Sequence, residues 1–86
     1  MDGVIVYRLE FCPNCELLKA YLKERGVAFV EEEMSSAAAL TELRVNGIFV
    51  NEAPVLRKGD VFLTSAELFS GGAVDAGAVD ALLDGA

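Results

Sequence analysis

The sequence predicts an α/β domain in which a single sheet packs against helices. Short β-branched and aromatic runs alternate with segments of helical period, which is the pattern of βαβ units. Hydrophobic residues make up 53% of the chain, enough to fill a core. A chain of 86 residues suffices for one small domain, so we expect residues 1–86 to form one.

The first strand and the first helix follow from local signals. Val4–Tyr7 carries apolar residues on both faces, as in a strand buried on both sides. After a loop over 8–11, Cys12 and Pro13 open a helix, because proline is favoured at the first helical position. Gly26 is suited to end it. The apolar stripe of this helix includes Cys15, Leu18 and Leu22.

The next segment predicts a strand and a second helix. Residues 27–30 form a short apolar run, and Glu31–Glu33 is expected to be a solvated exit from that strand. A serine, Ser35 or Ser36, can cap a helix over 37–45. Asn46 and Gly47 would then end this helix.

The second half predicts a hairpin followed by helical segments. Apolar runs at 54–57 and 61–64 flank a Gly-Asp turn, and Arg57 and Lys58 are expected to be solvated at the hairpin edge. Ser65 is expected to cap a short helical turn over 65–69. Gly71 and Gly72 break it, and 73–83 returns to helical period. The predicted order is β-α-β-α-β-β-α.

Composition excludes several functions. The formal net charge is −7 and there is no basic cluster, so we expect neither nucleic acid nor anionic membrane as a partner. The absence of histidine excludes Ser-His-Asp and Cys-His catalysis. The N-terminal residues lack the pattern of a signal peptide, and no apolar run could span a bilayer. We therefore expect a cytoplasmic protein, in which two cysteines are seldom structural disulfide partners.

The motif Cys12-Pro13-Asn14-Cys15 carries the chemistry. Positions i and i+3 in the first turn of a helix bring two sulfurs within disulfide reach. Cys12, at the N-cap, would meet unsatisfied N–H groups and the positive end of the helix dipole, which should lower its pKa. Cys15 would be the buried partner. Spacing alone leaves three interpretations open: a dithiol/disulfide switch, a pair of core thiols, or half of a metal site.

The chain begins with a strand, a loop, the Cys-Pro-x-Cys motif and a helix, and Ala53-Pro54 opens a hairpin further on. This arrangement resembles the glutaredoxin family of the thioredoxin superfamily, and NrdH-type redoxins in particular. The resemblance covers nearly the whole chain. It implies a thioredoxin-like fold with a four-stranded mixed sheet. It also implies a cis Pro54 that faces the disulfide, and an Ala53 backbone that pairs with a bound thiol substrate.

Several positions depart from the glutathione-dependent members. Leu9 replaces a lysine, Asn14 a tyrosine, and Glu52-Ala53 a Thr-Val pair, while Thr64-Ser65 stands where Gly-Gly is usual. Glu10 and Glu52 would also disfavour a ligand with two carboxylates. The segment 45–52 is longer than expected and its role is unassigned. The residues expected to contact substrate are Phe11, Pro13, Asn14, Ala53, Pro54, Thr64 and Ser65.

The resemblance therefore implies a dithiol electron donor for protein disulfides, ribonucleotide reductase among them. Cys12 would attack and Cys15 would resolve, with no cofactor beyond the Cys12–Cys15 disulfide. A thioredoxin-reductase-like enzyme or a low-molecular-weight thiol would regenerate the dithiol, and we expect a monomer. The alternative is an iron–sulfur cluster or zinc ion held by Cys12 and Cys15 of two chains.

Overall fold

The computed structural model describes residues 3–85, which form four α-helices, a four-stranded sheet and a two-stranded ribbon. The elements in chain order are β1 (Val4–Arg8), α1 (Pro13–Glu24), β2 (Val30–Glu33), α2 (Ala37–Val45), β3 (Val55–Lys58), β4 (Val61–Leu63), α3 (Ser65–Leu68), β5 (Phe69–Ser70), β6 (Ala73–Val74) and α4 (Ala76–Gly85).

The main sheet is mixed, with strand order β2-β1-β3-β4. β1 runs parallel to β2 and antiparallel to β3, and β3 and β4 form the predicted hairpin. This sheet and the helices that pack on it are compatible with a thioredoxin-like fold.

Two apolar clusters lie on opposite faces of the sheet, because successive side chains of a strand alternate between faces. Val4 and Val6 of β1 face α1, α3 and α4, and Tyr7 faces α2. The first cluster also contains Leu18, Leu22, Leu56, Leu68, Val79 and Leu82. The second contains Met34, Ala39, Leu43 and Val55. The helices therefore fix the sheet from both sides.

The position of β2 corrects the prediction. The strand lies at 30–33 rather than 27–30, so Glu31–Glu33 belongs to it. Glu31 is paired with Lys19 of α1, at 3.1 Å, and Glu33 with Arg8, at 3.0 Å. A charged edge strand with cationic neighbours is tolerated because one of its sides is open, and its charges discourage pairing with another chain.

The C-terminal half differs from the prediction at two places. Ala73 and Val74 pair with 69–70 across a turn at Gly71 and Gly72, whose φ angles of 61° and 84° suit glycine. α4 therefore starts at Ala76 and not at 73. The N-cap of α3 is Thr64, not Ser65.

Arg57 is not a solvated edge residue. Its side chain is 16% exposed, and Nη1 donates to the hydroxyl of Tyr7, at 3.2 Å, and to Glu42, at 2.8 Å. Nε donates to the carbonyl of Gly59, and the guanidinium lies over the ring of Phe62. Arg57 thus joins α2, β1 and the β3–β4 hairpin. Lys58 donates to the carbonyl of Leu83 and so contacts α4.

Candidate active site

The site lies at the end of the sheet where β1 finishes and β3 begins. The register places Tyr7 beside Val55, so the loop after β1 and the segment before β3 meet there. The chain leaves β4 at the same end, because Leu63 pairs with Leu56. Three segments distant in sequence therefore lie at one end of the sheet, namely 9–12, 53–54 and 64–65.

Cys12 and Cys15 form a disulfide across the first turn of α1, with their Cα atoms 5.2 Å apart. Cys12 is the N-cap residue, with Pro13 following it at N1. The backbone N–H of Cys15 donates to Sγ of Cys12, at 3.1 Å. This N–H would otherwise lack a partner at the helix start. The helix end therefore presents a hydrogen-bond donor to the sulfur of Cys12.

The two sulfurs differ in access. Cys12 is partly exposed, whereas Cys15 is 1% exposed and packs on the buried side of α1. Pro13 and Asn14, between them, are exposed. An incoming group can therefore reach Cys12, while Cys15 is shielded by the protein.

The segment before β3 covers the disulfide from the other side. The Ala53–Pro54 peptide bond is cis, and the carbonyl oxygen of Ala53 lies 3.7 Å from Sγ of Cys12. Pro54 is fully buried, and Ala53 is partly exposed. The contact between the Ala53 carbonyl and Sγ of Cys12 therefore places Ala53 and Pro54 at the site.

Phe11 is the most unusual residue of the loop. Its side chain is 98% exposed and its φ angle is +55°, a region that L-residues with bulky side chains rarely adopt. The side chain of Phe11 is therefore an exposed apolar group and does not fold onto α1.

Thr64 and Ser65 lie half-buried where the chain passes from β4 to α3. The carboxylate of Glu67 accepts hydrogen bonds from the N–H and from the hydroxyl of Thr64, each at 3.0 Å. Helix starts attract anions because their N–H groups lack partners. Here a side chain of the protein already occupies that position.

The cations near the site are engaged with carboxylates. Arg8 pairs with Glu31 and Glu33, and Lys19 pairs with Glu16, at 2.8 Å, and with Glu31. The hydrogen bond from Lys19 lowers the pKa of Glu16, and the same bond raises the pKa of Lys19. In contrast, Glu10 and Glu52 are exposed and have no ion-pair partner among residues 3–85.

Val45, the first residue of the unassigned segment 45–52, is the last residue of α2, and residues 46–52 connect α2 to the site without regular secondary structure. Ile48 and Val50 pack against the second apolar cluster, while Val45 and Phe49 are exposed. A cleft of about 210 Å³ separates this segment from the loop after β1, and its lining includes Leu9 and Asn51.

Sequence reasoning missed two contributors to this region. The role of Glu67 was readable, because Thr64-Ser65-Ala66-Glu67 has the spacing of a capping box. The pairing of Arg8 with Glu33 could not be predicted from the sequence, since it depends on the register of β2, and the acidic run does not look like a strand.

In comparisons with known proteins, the chain matches no protein-family model and no curated protein. No helix in the described part of the chain is long and apolar enough to cross a membrane. Within residues 3–85 no three potential metal ligands among Cys, Asp and Glu converge.

Proposed function

We propose that this chain is a glutaredoxin-like thiol–disulfide oxidoreductase that reduces disulfides of other proteins. The observation that carries the proposal is the Cys12–Cys15 disulfide at the start of α1, with one sulfur accessible and the other buried. This difference in access gives the two cysteines different roles, which a structural disulfide does not require.

In the reduced protein, Cys12 is the nucleophile. The N–H of Cys15 and the positive end of the α1 dipole stabilise a thiolate at Cys12. The thiolate attacks one sulfur of the client disulfide and forms a Cys12–client bond. The client disulfide breaks, and its other sulfur leaves as a thiolate that takes up a proton.

Cys15 resolves the mixed disulfide. Its thiol loses a proton and attacks Sγ of Cys12, which forms the Cys12–Cys15 bond and releases the second client sulfur as a thiolate. Two electrons pass from the protein to the client. A dithiol reductase of the thioredoxin-reductase type, or a low-molecular-weight thiol, must then restore the two thiols.

The surface around Cys12 fits an extended client segment. Ala53 lies beside the sulfur and outside the strands, and its backbone makes no backbone–backbone hydrogen bond within residues 3–85, so main-chain hydrogen bonds of the kind found in added strands can hold the client. Phe11, Pro13 and Asn14 are exposed around the sulfur and provide side-chain contact. Thr64 and Ser65 lie at the rim, on the side of β4. Pro54 is buried and positions Ala53.

We place this activity in a reducing compartment such as the cytoplasm, in a monomer. Clients are enzymes that need a dithiol donor, ribonucleotide reductase among them. Glutathione should reduce the oxidised protein slowly, since Leu9, Asn14 and Thr64-Ser65 replace the residue types that glutathione-dependent relatives use.

Trapping the mixed disulfide tests the proposal. Reduced Cys15→Ser protein, incubated with insulin as a disulfide substrate, should accumulate a covalent adduct at Cys12 that dithiothreitol releases. Cys12→Ser protein is the matched control and should form none, because Cys15 is shielded. Equal adducts with both variants, or adducts at Cys15, would refute the assignment of roles.

A further inference from the structure

The charges around the disulfide are unbalanced. Glu10 lies two residues before Cys12, which places its Cα within about 8 Å of the Cα of Cys12. Glu52 directly precedes Ala53, whose carbonyl oxygen lies 3.7 Å from Sγ of Cys12. Glu67 adds a third carboxylate at the rim, beside Thr64. All three side chains belong to exposed residues.

No cation among residues 3–85 forms an ion pair with these carboxylates. Arg8 and Lys19, at or near this end of the sheet, each contact two carboxylates. Arg25 pairs with Asp80 at the other end of α1, and Arg57 pairs with Glu42 on the α2 face. Arg44 lies in the last turn of α2, where it lines a cleft with Phe49 and Asn51, and it forms no ion pair within residues 3–85.

We infer that the site selects protein segments that carry lysine or arginine beside the reacting cysteine. This inference rests on the proposed function and adds the substrate class to it. Unpaired carboxylates within about one Debye length of the sulfur attract a cationic segment and repel an anionic one. Phe11, at 98% exposure, offers the same segment an apolar contact. Glu10 and Glu52 are therefore the specificity-determining residues.

The test uses three disulfide-linked peptide dimers that differ only in the residues flanking the cysteine, which are Lys, Gln or Glu. Each dimer takes two electrons from the reduced protein and yields two peptide thiols and the oxidised protein. Acid quenching and chromatography follow the peptide thiol. Neighbouring charges also change the intrinsic reactivity of a disulfide, so each rate is divided by the rate with dithiothreitol, a small reductant whose only charge is that of the attacking thiolate.

The corrected rate constant should be about tenfold larger for the Lys peptide than for the Glu peptide at low salt, with the Gln peptide between them. The ratio should approach one at about 1 M salt, where the Debye length is about 3 Å. The double variant Glu10→Gln/Glu52→Gln should lose most of the ratio at low salt. The matched control Glu24→Gln/Asp60→Asn removes the same charge at exposed positions on the opposite end of the fold, and it should keep the ratio.

Each outcome decides one question. If the Gln peptide is not reduced at all, the proposed function is wrong. If the Gln peptide is reduced but the Lys and Glu peptides react equally, the function stands and the charge selection is refuted. If the control variant loses the ratio as fully as the Glu10/Glu52 variant, total charge is responsible, and the assignment to these two residues is wrong.

Discussion

Replacing Arg57 with glutamine should destabilise the protein far more than a surface charge change does. The substitution removes hydrogen bonds to Gly59, Tyr7 and Glu42 and the contact with the Phe62 ring, 4.8 Å from the guanidinium. The Glu42 pair is solvent-screened, since that carboxylate is half exposed, and contributes less than about 1 kcal/mol. The bonds to Gly59 and Tyr7 contribute about 1 kcal/mol each.

Loss of side-chain entropy in the ordered arginine offsets part of this gain, by up to about 2 kcal/mol. The ring contact adds about 0.5–1 kcal/mol. We therefore expect Arg57→Gln to lower the free energy of unfolding by about 2 kcal/mol, and the melting temperature by about 8–16 °C. Arg57→Lys keeps the charge but loses the forked donor geometry, so its free energy of unfolding should lie between those of the wild type and of Arg57→Gln.

Urea unfolding followed by circular dichroism measures the effect. Lys23→Gln is the matched control: it removes one positive charge from an exposed residue of α1 with no ion pair in the described structure, and it should stay within about 0.5 kcal/mol of the wild type. In reduced and folded Arg57→Gln protein, Cys12 should react with iodoacetamide at the wild-type rate, because Arg57 supports the scaffold and not the sulfur. A loss no larger than that of Lys23→Gln would refute the structural role of Arg57.

Three further predictions concern other parts of the fold. Arg25 and then Tyr21 lower the pKa of Asp80 by hydrogen bonding, so Asp80 stabilises the fold above the unfolded carboxyl pKa and ceases to do so as the pH falls through its lower folded pKa. The urea midpoint of wild type should exceed that of Asp80→Asn at pH 7, and the two midpoints should converge in acid. The control Asp84→Asn should show no such trend. A difference between wild type and Asp80→Asn that does not depend on pH would contradict the pairing of Asp80 with Arg25. Phe11→Gly relieves a positive φ angle at an exposed residue, so it should raise the free energy of unfolding by up to about 1 kcal/mol. The same change should slow insulin reduction. Marked destabilisation would mean that the Phe11 side chain packs in the fold. Glu67→Ala removes the acceptor for the Thr64 N–H and hydroxyl and should cost about 1 kcal/mol in urea unfolding, which unchanged stability would disprove.

The sequence predicted those parts of the fold that local signals specify. Pro13 at N1 and Gly26 after the helix marked the ends of α1, and the Gly-Asp turn marked the β3–β4 hairpin. The limits of β2 were wrong because the sequence of Glu31–Glu33 looks like solvated chain, whereas its backbone pairs with β1 and its carboxylates pair with Arg8 and Lys19.

The candidate site was predictable to a similar degree. The spacing of Cys12 and Cys15 and the N-cap position predicted one accessible and one buried sulfur. The approach of Ala53 to Cys12 came from the family resemblance, because two residues 41 positions apart leave no local signal. The network around Arg57 could not be predicted, since it joins residues from three elements whose packing is decided by the whole core.

The central claim is that Cys12 and Cys15 exchange two electrons with a disulfide, and the stoichiometry of that exchange tests it most directly. Anaerobically purified protein should be colourless and, once reduced, should consume one equivalent of a peptide disulfide per chain. The reaction should release two peptide thiols and leave Cys12 and Cys15 joined in the peptide map. A visible chromophore that carries iron and sulfide at two cysteine pairs per cluster, with no disulfide consumed, would contradict the claim and identify the pair as cluster ligands.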